Sequence, residues 1–304
     1  MYGIILKIAD NWELEWIGFL PGKRESRRYK GAYVIHQSDV ESGGKFDDVV
    51  AYAGWSMDNH FPEGFYYRGG HPTIYNPAPS PWGITFRSLY SANIKNLLFA
   101  GRNISVPYVA LSSSRVMATC AILGQAVGTA VSVLNEGKTD ISQLDTKKLQ
   151  NRLMFDDCYL PGLKREVPQI TQTAQCNADI VRNGLDRGSD NCWYGGDGDF
   201  IEYKFAKPQY INQVRIIFDS DLNRKYQNMP CNYKLYEDSF YLPKTLIREY
   251  SIILTYADKT RKTIKIDDNH QRFVKHIIDD EVIEVKLVPH KTWGSETYNV
   301  FSFE

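Results

Sequence analysis

The stretch Leu97–Leu134, LLFAGRNISVPYVALSSSRVMATCAILGQAVGTAVSVL, decides how this chain is read. Its apolar start, Leu97–Ala100, reads as a short strand, and Gly101 as the turn that ends it. A Ser-rich loop follows, then a long helix expected to start at Ser113 or Ser114, whose hydroxyls can accept from first-turn amides. Small residues make up most of that helix: Ala118, Cys120, Ala121, Gly124, Ala126, Gly128 and Ala130. Glycine costs a helix stability, so Gly124 and Gly128, one turn apart, indicate a close approach to the backbone. Another element of the core could make that approach. So could a ligand docked at the helix N-terminus, where free N–H groups and the dipole favour electronegative atoms. Val116–Leu134 carries no charge and is near the length of a membrane span. Thr119, Gln125, Thr129 and Ser132 interrupt it, and Leu, Ile and Phe are sparse. A buried helix of an α/β core is the expectation.

Around this centre the pattern changes twice. Upstream, residues 1–20 alternate weakly, as strand material does, and Lys23–Arg28 is a dense charge run. Residues 61–84 are rich in Gly, Pro and aromatics, an excursion from regular structure, and Ile84–Tyr90 reads as a strand. Downstream, Gly137 and Lys138 form a helix stop, and Asp145 caps an amphipathic helix carrying Leu149, Leu153 and Met154. The helical period disappears after Val167. From there short alternating runs separated by turns indicate an antiparallel sandwich. They include Phe200–Phe205, Val214/Ile216/Phe218 with Arg215 on the opposite face, Tyr250–Tyr256, Lys262–Ile266, Phe273–Ile278 and Val300–Phe303. The expected organisation is an α/β portion over residues 1–165 and an all-β antiparallel jelly-roll sandwich over 166–304.

The chain has 304 residues, 24% charged and 43% hydrophobic, with 36 basic and 36 acidic side chains. That balance gives no electrostatic reason to expect nucleic acid or a membrane surface as partner. The five cysteines form no C-x-x-C pair and no Cys/His set at metal spacing, so no metal site is expected. No signal-peptide pattern is visible at the start, and the compartment stays open. No Ser-His-Asp order, P-loop or H-E-x-x-H occurs, so hydrolase, kinase and zincin readings lack support.

Five segments carry a resemblance: Pro21–Arg28 (PGKRESRR), Ala53–His60 (AGWSMDNH), Phe86–Tyr90 (FRSLY), Asn96–Ser105 (NLLFAGRNIS) and Val109–Ala130. Together they resemble the C-terminal part of the flavin-binding domain of FAD-dependent oxidoreductases in the glutathione-reductase-like superfamily. The nearest likeness is to a bacterial family often fused to a β-sandwich. The resemblance implies FAD as cofactor. It implies that the turn at Gly101, Arg102 and Asn103 passes the ribityl and pyrophosphate. It also implies that the helix start, with Ser114, Arg115, Val116 and Met117, faces the pyrimidine edge of the flavin ring. The competing reading is plain strand–turn–helix packing. Such flavoproteins carry a G-x-G-x-x-G unit that holds the ADP pyrophosphate, and no glycines here have that spacing. The chain is therefore expected to be a C-terminal fragment or truncated form, holding FAD weakly or not at all and inactive alone. Completion by a missing N-terminal half, or self-association through an exposed apolar face, is expected.

For the chemistry, His60 is the candidate base, Asp58 its orienter two residues away on a strand, and Tyr108 a further candidate in the adjacent loop. The competing reading for His60 is a hydrogen-bonded loop histidine. Arg27 and Arg28 are candidates to clamp a carboxylate or phosphate, with Arg87 behind them.

Residues 178–304 resemble a galactose-binding-like, discoidin-type jelly roll, through Asn177–Gly196, Asp199–Arg224 and the closing Tyr298–Glu304. This implies ligand loops at one end of the sandwich, where Trp193 and Trp293, with Tyr194 and Arg224, could stack on a sugar. Asp186, Asp190 and Asp197 could ligate Ca²⁺, although acidic loop residues usually only solvate. Two functions stay in play. One is an oxidoreductase on an unknown small molecule or sugar; the other is a carbohydrate- or partner-binding protein that acts through its sandwich.

Overall fold

A computed structural model describes residues 11, 13, 15–19, 27–137, 140–222 and 242–304. The expected N-terminal strand through residue 10, the charge run as far as Ser26, Lys138, Arg224 and Cys231 lie outside the described residues.

The first part mixes helices with small sheets. A short helix α1 (Gln37–Glu41) leads to β1 (Val49–Ala53), β2 (Met57–His60), β3 (Thr73–Asn76) and β4 (Trp82–Thr85). Strand β1 pairs antiparallel with β4, and β2 with β3, His60 facing Thr73 across the ladder. Two glycines let the β4 edge close on the loop before β1. A Cβ on Gly44 would lie 2.0 Å from the Gly83 carbonyl oxygen, and Gly44 has φ +58°. The excursion at 61–84 supplies β3 of the β2–β3 hairpin and most of β4, so it is more regular than its composition predicts.

The expected strand over Ile84–Tyr90 stops at Thr85 and becomes a 3₁₀ turn at Phe86–Ser88. Leu97–Ala100 is no strand either: it makes a single bridge, Tyr90 to Leu98, and a Phe99 N–H to Leu89 carbonyl bond of 2.9 Å. A strand needs a continuous ladder along a neighbour, and here the partner segment has already turned away.

The expected long helix is two helices. α2 (Tyr108–Ser114) ends at Arg115, and α3 begins at Met117 and runs to Gly137. Ser113 and Ser114 lie at the end of the first helix and cap nothing. Ser114 Oγ donates back to the Ala110 carbonyl at 3.1 Å, Ser112 Oγ to that of Val109 at 2.6 Å, and Ser113 Oγ to that of Trp55. Serines that bond backward to i−3 or i−4 carbonyls satisfy the end of a helix, not its beginning. Trp82 Nε1–H donates to Ser113 Oγ at 2.9 Å, fixing this run deep in the core. α3 packs on β1 and on α4 (Thr146–Phe155) through Leu123, Ala126, Ala130, Val133 and Leu134. By length and composition α3 could cross a membrane; here one face of it is core. Asp145 caps α4 as its sequence predicts, accepting from the Lys148 amide at 3.1 Å.

After a short α5 (Gln169–Thr173) the chain is β. The sheet contains β5 (Gln175–Cys176), β6 (Trp193–Gly195), β7 (Ile201–Phe218), β8 (Ile247–Thr255), β9 (Arg261–Ile266), β10 (Phe273–Thr292) and β11 (Tyr298–Phe303). Its order is β6-β11-β7-β10-β8-β9, with β5 on β7, and every pairing is antiparallel. The long strands β7 and β10 bend at register shifts beside Asp279 and Val282, so one pair of strands serves both faces of the sandwich. Tyr250, Ile252 and Leu254 point inward at alternate positions beside Val214, Ile216 and Phe218. Among the described residues two large apolar cores result, one drawn from Ile35 to Leu160 and the other from Ala174 to Phe303, with a small third cluster of Cys192, Ile217 and Phe301.

Arg215 does sit on the opposite face from Val214 and Ile216, but that face is covered, and Arg215 is 1% exposed. Its guanidinium donates to the carbonyls of Met154 and Phe155, which end α4, at 3.2 and 2.8 Å, and to Asp186 at 2.6 Å. Arg165 meets the same Asp186 and grips Glu304 with two bonds of 2.6 Å. Burial pushes the Asp186 carboxyl upward, and the two arginines outweigh it, holding the group below its ordinary range. Asp186 is therefore a buried counter-ion, neither a solvated loop acid nor a calcium ligand.

Asp186→Asn leaves the buried Arg215 guanidinium without a carboxylate among the described residues, while Arg165 keeps Glu304. The substitution should cost about 3–5 kcal/mol in urea unfolding, and a loss near zero would show that solvent compensates Arg215. A second prediction concerns His276, whose Nε2 lies 2.8 Å from the Tyr250 hydroxyl and which burial holds below the usual imidazole range. The unfolded chain binds this proton more readily, so stability should fall as pH drops below about 6.5 and level off beneath the folded value. The urea midpoint of His276→Gln should follow pH less steeply than that of the wild type over this window; equal slopes would assign the effect elsewhere.

Candidate functional site

β2 packs against α2, which brings the end of the hairpin to the gap between α2 and α3. His60 closes β2, and its two ring nitrogens have different partners. Nδ1 lies 2.9 Å from Thr73 Oγ1, its cross-strand neighbour, and Nε2 lies 2.9 Å from Arg115 Nη2. A guanidinium offers only donors, so Nε2 must accept, and the imidazole is neutral with its proton on Nδ1 facing Thr73. The Tyr108 hydroxyl donates to the His60 carbonyl at 3.4 Å and accepts from its amide at 3.3 Å. Tyr108 thus holds the His60 backbone, and Thr73 and Arg115 hold its ring.

Asp58 has other work. Its carboxylate accepts from Trp55 Nε1–H at 2.6 Å and from the Ser56 hydroxyl, and it is buried. The expected role of orienting His60 passes to Thr73 and Arg115. The reason is the turn at Trp55–Ser56, which folds two donors back onto the acid before the strand can present it. Sequence reasoning missed Thr73, because hairpin register decides which residue of an irregular loop faces His60.

The second group of candidates surrounds the start of α3. Gly101 has φ +102°, a turn open to glycine, and Asn103 Oδ1 is buried there without a hydrogen-bond partner. The Asn103 carbonyl accepts from Tyr29 N–H at 2.9 Å, which brings the segment carrying Arg27 and Arg28 beside this turn. Arg27 is exposed and Arg28 half-buried. Burial pushes the Cys120 thiol up, and the positive charge of Arg102 draws it partly back. The first bond of α3 runs from Cys120 N–H to the Val116 carbonyl, and valine has no side-chain acceptor for the first-turn amides. Met117 is 90% exposed beside them. Gly124 and Gly128 face open space, so no described element makes the close approach that their spacing predicts.

These residues fit the group that the sequence implies. An unpartnered amide oxygen at a glycine turn suits a hydroxyl or N–H of a ribityl chain or flavin ring. A helix start without a side-chain cap suits the electron-rich pyrimidine edge. Ser114 is the exception: 1% exposed and bonded backward into α2, it does not face that opening.

The remaining candidates are engaged elsewhere. Arg87 is bound to Asp48, with Nε 3.0 Å from Oδ2, and its guanidinium lies over the Tyr33 ring. Burial raises the Asp48 carboxyl, but the Arg87 and Thr85 hydrogen bonds prevail and hold it low. Trp193 is half-buried with its ring against Gly195, where an added Cβ would meet it at 2.2 Å. Trp293 lies under the Arg248 guanidinium, 4.7 Å from its ring centroid, and its Nε1–H donates to the Asn269 carbonyl at 2.8 Å. Both are packing aromatics of the sandwich.

No curated protein matches the chain. Among solved structures it is similar to the family 32 carbohydrate-binding module of Streptococcus pneumoniae EndoD, at 9% identity and TM-score 0.32, over 43% of this chain and 92% of that one. It is also similar to the lectin domain of lectinolysin complexed with Lewis B antigen, at 13% identity and TM-score 0.34, over 46% and 96%. A third is the family 32 module of C. perfringens NanJ in complex with galactose, at 12% identity and TM-score 0.28, over 43% and 90%. Residues 6–153 match the model of the family described as FAD dependent oxidoreductase, and they hold the hairpin, the Gly101 turn and both helices of the site. Over those residues, just under half of its length, the chain is similar to the FAD dependent oxidoreductase family.

Proposed function

We propose that residues 1–165 are the flavin-facing part of an oxidoreductase acting on a small molecule, and that residues 166–304 form a sandwich clamped against it. The observation that carries this reading is the break between α2 and α3. It leaves the start of α3 without a side-chain cap, beside a glycine turn whose Asn103 oxygen lacks a partner. Bound FAD would supply two-electron transfer at its ring. Gly101, Arg102 and Asn103 would hold the ribityl and phosphate side, with Asn103 Oδ1 as acceptor. The start of α3 would stabilise negative charge on the pyrimidine edge by about 0.3–2 kcal/mol. His60 would take the substrate's proton on Nε2, exchanging it for the Arg115 N–H, while Thr73 accepts from Nδ1 and fixes the tautomer.

Affinity for FAD should be low, because no G-x-G-x-x-G spacing is present to hold the ADP half. Titrating FAD into the protein should produce a saturable change in the flavin bands between about 350 and 500 nm that is lost on desalting. Asn103→Ala should weaken this uptake by about three- to tenfold, the worth of one hydrogen bond. Bands that survive desalting would mean that the site is self-sufficient. An unperturbed spectrum would overturn the flavin reading and move the search to the sandwich.

A further inference from the structure

We propose that Arg115 is a receptor for a carboxylate on the substrate. The proposal rests on the oxidoreductase reading for the word substrate, while the anion site itself stands on the charges around Arg115.

A guanidinium in a half-buried position is ordinarily paired with an acid. Arg115 is half-buried, and its side chain bonds His60 Nε2, a neutral acceptor. No carboxylate lies within ion-pair distance of Arg115 among the described residues. Asp58, two residues before His60 on the same strand, is taken by Trp55 and Ser56. Arg115 is the C-cap of α2 and sits at the gap before α3, so the negative end of one helix and the positive end of the next both lie beside it, and neither supplies the full counter-charge of an acid. The site therefore has an excess of positive charge held in place. His60 spends one N–H of the fork and fixes its plane, and the other donors remain for a ligand.

The form of the excess selects the ligand. Bonded to His60 among the described residues are one guanidinium, Arg115, and one phenol, Tyr108, which is 38% exposed. A planar fork matches a carboxylate with two parallel bonds and a single charge. A phosphate would bring a second charge and more acceptor oxygens than these donors satisfy. Ile74 and Tyr75 on β3, 47% and 58% exposed, add apolar surface on the hairpin that carries His60. The matching ligand is a small molecule with a carboxylate at one end and an apolar or ring-shaped body.

Benzoate is the probe, and benzamide its neutral counterpart. Each is titrated into the protein while the Arg Nε–Hε signals are followed by NMR, the Arg115 signal being assigned by its loss in Arg115→Gln. Benzoate should shift that signal saturably and benzamide should not. Arg115→Gln should weaken benzoate binding about tenfold or more, and Arg115→Lys should restore it only in part because the fork is gone. Tyr75→Ala should weaken binding without abolishing it. Equal binding of benzoate and benzamide, or benzoate binding unchanged in Arg115→Gln, would overturn the proposal. Phosphate competing at lower concentration than any carboxylate would do the same. The FAD titration of the same variant separates the two readings. Retained FAD uptake with lost benzoate binding supports a substrate site, whereas lost FAD uptake with benzoate binding intact assigns Arg115 to the flavin. Benzoate binding in a protein that takes up no FAD keeps the anion site and removes only the oxidoreductase reading.

Discussion

Asp186 holds this molecule together. It is one buried carboxylate between two guanidiniums, Arg165 from the connecting segment and Arg215 from the middle of β7. Through Arg215 it reaches the last carbonyls of α4, where a cation is favoured by the helix dipole. Through Arg165 it reaches Glu304. Taking four charges out of water is expensive, and the expense is recovered only when geometry is good and every lone pair has a donor. The arrangement therefore tolerates one relative placement of the two cores. A purely apolar contact would accept sliding; a buried charge network does not.

The position of the candidate site follows from that placement. α4 packs on α3, and α3 on β1, so clamping the end of α4 fixes the axis of α3. The start of α3 and the end of α2 then meet the β2–β3 hairpin at a set distance, and His60 finds Arg115 on one side and Thr73 on the other. None of these groups is held by its own segment alone. Each is positioned by a contact far away in sequence, as rigid sites usually are.

The helix break shows how the same residues serve core and site at once. Ser112, Ser113 and Ser114 satisfy carbonyls at the end of α2 or in the turn at Trp55, and Ser113 also takes the Trp82 N–H. With these hydroxyls turned inward, Val116 stands at the start of α3 and offers no cap. Free amides, an exposed Met117 and an unpartnered Asn103 oxygen are left on the outer side. Local chemistry that completes the core therefore leaves polar groups for something outside it.

The order of the elements was legible from sequence alone, because periodicity and turn residues are local signals. The capped helix after Asp145, the antiparallel runs after Val167 and the small-residue helix ending at Gly137 all follow from spacing that neighbours enforce. His60, Asp58, Tyr108 and Arg115 were each visible as chemistry-bearing residues, and so was the turn at Gly101. Their pairing was not. A serine run can cap a helix start or bind back into a helix end, and only the position of Trp82 and Trp55 in space selects the second. An acid two residues from a histidine shares its side of a strand, yet the turn at Trp55–Ser56 claims it first. An arginine at an alternating strand position reads as outward-facing, and the arrival of α4 buries it. Sequence determined which groups exist and on which elements; tertiary structure decided which donor meets which acceptor, because hydrogen bonds and ion pairs are settled over a few ångströms that sequence distance does not encode.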